Sequence, residues 1–127
     1  MGYQHMRTPI DELLNRWEQG EIDAEAVWYA AEDLWDTVDL LYIDFPDDHP
    51  DSPILEVLHD LSILNHQLIV REDIPALKKF LHAKPGSTVA AWQAYRAYLD
   101  SIDYQKRRDD LCDDDVYFPR QATDPDT

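Results

Sequence analysis

The sequence predicts an all-α fold, an irregular bundle of about five helices followed by an acidic C-terminal tail. Three observations predict it. Apolar residues recur at alternating spacings of three and four along most of the chain. Proline, glycine and short polar residues fall where helices should start and stop. No useful stretch alternates polar and apolar at period two, and no Asn-Gly or Asp-Gly hairpin signal occurs.

The first helix is expected to start at Thr8 as N-cap, with Pro9 in its first turn and Asp11 as the capping-box acid. Ile10, Leu13, Leu14 and Trp17 form its apolar stripe, and Gly20 ends it. Asp23 caps the second helix. Its stripe reads Val27, Ala31, Leu34, Val38 and Leu41. The short connection makes these two helices an antiparallel hairpin. Residues 43 to 52, with Pro46 and Pro50, form a loop.

Ser52-Pro53 repeats the cap-plus-proline start, and a third helix carries Ile54, Val57, Leu58, Leu61, Leu64 and Leu68. A shorter fourth helix begins near Glu72 or Asp73 and presents Leu77, Phe80 and Leu81, closed by Lys84-Pro85-Gly86. Ser87 caps the last long helix, whose stripe is Trp92, Tyr95, Leu99 and Ile102. Residues 6 to 110 are read as one domain and 111 to 127 as an acidic tail that can dock through Val116, Tyr117 and Phe118. Residues 1 to 5 resemble a cloning remnant ahead of a second start at Met6.

The chain has 127 residues, long enough to bury a core without disulfides or metal. Its formal net charge of -16 disfavours nucleic acid and anionic membranes and favours basic proteins. Cys112 is the only cysteine, so no intrachain disulfide or thiolate cluster is expected, and a cytoplasmic location fits. No apolar run approaches a membrane span.

The charge is not spread evenly. From Trp17 to Val70 there are 14 acidic residues and no Lys or Arg, with Arg16 and Arg71 bracketing the block. Such acids lack partners at i,i+4 and repel one another, a cost that a binding surface can justify. Helical geometry puts Glu25, Tyr29, Glu32, Asp36 and Asp39 opposite the apolar stripe of the second helix, and the following loop adds Asp44, Asp47, Asp48 and Asp51. A tyrosine ringed by carboxylates has the make-up of a binding hot spot with steering charges. The expected partner-binding residues are Tyr29, Glu32, Asp36, Asp39, Asp47 and Asp48.

No catalytic motif accompanies this surface. G-x-S-x-G, H-E-x-x-H and phosphate-binding glycine loops are absent. The loop acids Asp47, Asp48 and Asp51 with Glu56 lack the central glycine of a calcium loop. Glu56 and His59 make one Glu-x-x-His, whereas a di-iron bundle needs two and further inward Glu residues. No cofactor and no metal is therefore expected, and the chain is read as not an enzyme. Lys106, Arg107 and Arg108 are too short a basic run for nucleic acid and are expected to neutralise the tail or a helix end.

The stretch from residue 13 to residue 35, LLNRWEQGEIDAEAVWYAAEDLW, resembles the start of small acidic bacterial toxin-immunity proteins of the colicin-D and contact-dependent-inhibition types. The matching pieces are Leu13-Leu14, Gly20, Ile22-Asp23-Ala24-Glu25 and Leu34-Trp35, about a fifth of the chain. The resemblance implies a helical protein that binds one cognate toxin domain, often a basic nuclease, and has no catalytic residues of its own. Two other readings compete: an adaptor or structural subunit binding through an apolar patch that includes Trp28 and Trp35, and a metal-dependent enzyme using Glu56, His59 and nearby carboxylates.

Overall fold

A computed structural model describes residues 3–38, 46 and 48–118. Among them are seven α-helices and no strand: α1 (Arg7–Glu18), α2 (Ala24–Trp35), α3 (Ser52–Ser62), α4 (Leu64–Gln67), α5 (Ile74–Leu81), α6 (Thr88–Asp100) and α7 (Tyr104–Leu111). The all-α class holds, and the count is seven rather than about five. Two expected helices are each broken in two.

The third stripe divides at Ile63, whose backbone leaves the helical region (φ -128°). The short α4 then ends on Leu68 in the left-handed region (φ 54°), and the Ile69 amide reaches back to the Leu64 carbonyl at 3.0 Å. Glycine is the usual residue there, because it has no Cβ to clash. Leu68 is tolerated because its side chain is buried in the core. The last stripe divides after Asp100. Asp103 caps a new helix by accepting the Lys106 amide at 3.0 Å, and Ser101 Oγ donates to the Tyr98 carbonyl at 2.6 Å.

Other helix ends also differ from expectation. Asp23 caps α2 as predicted, accepting from the Ala26 amide at 2.9 Å. Thr8 does not cap α1. A 3₁₀ turn over Gln4–Met6 runs straight into that helix, and its carbonyls take the first amides instead. Ser52 Oγ donates to the His49 carbonyl and accepts from the Trp92 indole at 2.8 Å, so it joins α3 to α6. Helix α2 ends at Trp35, with Asp36 as its C-cap, and does not run on as a helix through the turn to Val38.

Helix α2 packs most extensively on α3, and α5 packs on α1, α3 and α6. Trp28 meets Ser62 while Trp35 meets His59, so α2 and α3 run antiparallel. The core centres on Ile10, Leu14, Ile54, Leu58, Leu61 and Leu77, all essentially inaccessible to solvent. Burying each such side chain is worth about 1.5–3 kcal/mol. Phe80 of α5 stacks on Tyr95 of α6 at 4.4 Å and meets Trp92 edge-on at 4.9 Å, which closes the α5–α6 seam.

The ends of the described chain are fastened to this body. Asp51, expected on the acidic surface, is instead only 4% exposed. It accepts from the Tyr3 amide at 3.0 Å and the Gln4 side-chain amide at 2.6 Å. Residues 3 to 6 thus pack as part of the domain. At the other end, Tyr117 is buried and its hydroxyl donates to the Ile69 carbonyl, Val116 is half-buried, and Phe118 remains exposed. Arg107 does not pair with the tail; it meets the C-terminal end of α4 and a buried acid. It forms a two-pronged pair with buried Asp73 at 2.7 Å on each arm and also donates to the Leu68 carbonyl at 3.0 Å.

Candidate functional site

The outward face of α2 is built by helical period. Glu25, Tyr29, Glu32 and Asp36 follow one another at spacings of four, three and four, and all four are exposed. The helix backbone stays right-handed through Asp36 (φ -64°, ψ -17°), so the row remains in line to its end. Asp33, four residues after Tyr29, is also exposed and widens the row. Among the described residues none of these four acids takes part in an ion pair. The acids of α1 differ: Glu18 meets Lys78 of α5 at 2.6 Å.

Tyr29 is the most exposed large hydrophobic residue described, at 52%. It is also held in place. Its ring stacks on Trp28 at 5.3 Å with an interplanar angle of 19°. Trp28 in turn donates its indole N–H to the Ser62 carbonyl at 3.0 Å, at the break between α3 and α4. An aromatic anchor fixed before binding loses little side-chain freedom on contact. Asp48 is exposed in the turn ahead of α3, toward the same end of the α2–α3 pair as Asp36. Asp39 and Asp47 lie outside the described residues.

A second group of polar side chains lies on α3. Glu56, His59 and Asp60 occupy successive positions of one helical face, and each offers a ligand atom within 4.8 Å of the others. Asp60 is 5% exposed and accepts from the Tyr95 hydroxyl at 2.7 Å. His59 Nδ1 lies 3.8 Å from an Asp60 oxygen, and its ring tilts against Trp35 at 5.0 Å.

Burial, reinforced by the Asp60 carboxylate, pushes the Glu56 carboxyl up to about 8, against the opposing fields of His59 and Arg96. The adjacent Asp60 carboxylate raises the His59 imidazole above its ordinary range despite partial burial. Tyr95 is pushed far up by burial beside the same carboxylate. The Glu-x-x-His spacing was visible in the sequence. Its buried third member, Asp60, was not singled out, although i+4 from Glu56 is the one signal that marks it.

An apolar groove of about 420 Å³ runs between α5 and α6, lined by alanines including Ala76, Ala83, Ala90 and Ala94 with Lys79 at its edge. Trp28 and Trp35, expected to contribute to an apolar patch, are half-buried and engaged with Ser62 and His59. Among the described residues no helix is long and apolar enough to cross a membrane. No protein-family model, curated protein or solved structure matches the chain.

Proposed function

We propose that the chain is a non-catalytic binding protein of the immunity or antitoxin type, acting in the cytoplasm, that neutralises a basic toxin domain through the α2 face. A nuclease is the toxin class that its charge fits, because an acidic inhibitor can fill a phosphate-binding cleft. The observation that carries this reading is Tyr29: half-exposed, stacked on a pinned tryptophan, and set in a row of acids without ion-pair partners. Glu32, Asp36 and, across the turn, Asp48 supply attraction to a basic partner. Asp39 and Asp47 belong to the same proposal on sequence grounds alone.

Affinity capture from the native host tests it, with wild-type chain and a Glu32→Lys/Asp36→Lys variant as paired baits. A basic protein retained by the wild type, eluted by moderate salt and lost with the variant supports the reading. Equal retention by both baits sinks it. Tyr29→Ala should weaken capture without changing its salt dependence, since it removes the anchor and leaves the steering field.

The α5–α6 groove favours a second reading, an adaptor that meets its partner through apolar contact. Capture by that route would be nearly indifferent to salt.

A further inference from the structure

We propose that Glu56, His59 and Asp60 form a binding site for one first-row divalent transition ion of the zinc and manganese class. The proposed donors are one imidazole nitrogen and two carboxylate oxygens, with the remaining positions open to water. The proposal does not rest on the partner-binding role.

The geometry is the first argument. In a tetrahedral site with bonds of about 2.0–2.2 Å, donor atoms lie about 3.3–3.6 Å from each other. The three donors here already sit within 4.8 Å without an ion, so side-chain rotation of about an ångström closes the site. All three lie at i, i+3 and i+4 on α3, a helix packed against α2, α5 and α6, so the backbone does not have to rearrange.

The donors are also oriented by their surroundings. The Tyr95 hydroxyl occupies one oxygen of Asp60 and fixes that carboxylate, as outer partners of metal ligands do. Trp35 lies against the His59 ring and limits its rotation. The side chain of His59 keeps 44% of its surface exposed, which leaves a path for an ion from solvent.

Donor chemistry is the third argument. The mixed nitrogen and oxygen donor set separates its class from calcium and magnesium, which take oxygen alone.

The test uses the full chain after chelator treatment. Zn²⁺ is titrated by calorimetry and Co²⁺ by visible absorption. We expect one ion per chain, with affinity falling at least tenfold in both Glu56→Gln and His59→Ala. Asp113→Asn/Asp114→Asn, in the tail, should bind as the wild type does.

Binding that survives unchanged in both α3 variants, or that vanishes in the tail variant, overturns the site, as does the absence of saturable binding. Should an α3 variant fail to fold, the wild type decides. Mn²⁺ must broaden the NMR signals of His59 and Trp35 before those of the tail, and broadening confined to the tail refutes the proposal.

Discussion

At Glu56, the fold holds a proton that the unfolded chain releases. The carboxyl moves from an ordinary 4.5 to about 8, through burial first and Asp60 second. Between those values the folded state binds more protons than the unfolded one, so stability falls as pH rises across that window. His59, also raised, adds a loss of the same sign as pH climbs through its folded value. In chelator, Glu56→Gln should therefore gain on the wild type between pH 5 and pH 8.5, by about 1–2 kcal/mol after allowance for partial exposure. Urea unfolding at the two pH values measures it, and parallel curves would refute it. Arg107 is a residue of the opposite kind. Its partner Asp73 is 5% exposed at the side chain and also holds the Tyr98 hydroxyl and the Val70 amide. Removing one half of a buried pair strands the other, so Arg107→Ala should cost about 3 kcal/mol and be visible in a thermal melt.

Among the elements, α2 bears a penalty that its sequence makes plain. Acids occupy its last turn and C-cap, where the helix dipole is negative, and that turn has no basic residue. Asp36→Asn should stabilise the fold by about 0.3–1 kcal/mol while weakening partner capture. A loss of stability instead would mean that Asp36 has a structural role. The apolar stripes made most helices legible in the sequence, because a 3.6-residue period survives without knowledge of neighbours. The breaks were harder to read. The α3–α4 break ends in a left-handed leucine stabilised by burial, which no local signal announces. The α6–α7 break rests on Asp103, a capping residue whose signal competed with a continuing stripe. The α2 row was legible for the same periodic reason. The burial of Asp51 was not, because its partners Tyr3 and Gln4 lie 48 and 47 residues away in sequence.

Over the whole molecule, charge is segregated by surface. Glu18 of α1 is answered by Lys78 and Glu21 in the following turn by Arg16, whereas among the described residues the acids on α2 are not answered. The row around Tyr29 therefore presents negative charge that no cation of the described residues offsets. Association with a basic partner should slow as ionic strength rises, most steeply up to about 0.15 M, where screening reaches about 8 Å. Glu32→Lys/Asp36→Lys should flatten that dependence as well as lower the rate. Stopped-flow measurements across a salt series with the captured partner separate this outcome from a uniform loss of affinity.

The clasp on Asp51 has a practical consequence for where the polypeptide can be cut. Its carboxylate is out of solvent and depends on Tyr3 and Gln4 for two of its hydrogen bonds. A version of the protein translated from Met6 would retain the residues of all seven α-helices and yet leave this acid short of donors in a nearly dry setting. Its melting point should fall, and Asp51→Ala should restore part of the difference. Protease trimming or a relocated start site at the front of the chain would therefore register first at the mouth of α3, far along the sequence from the cut.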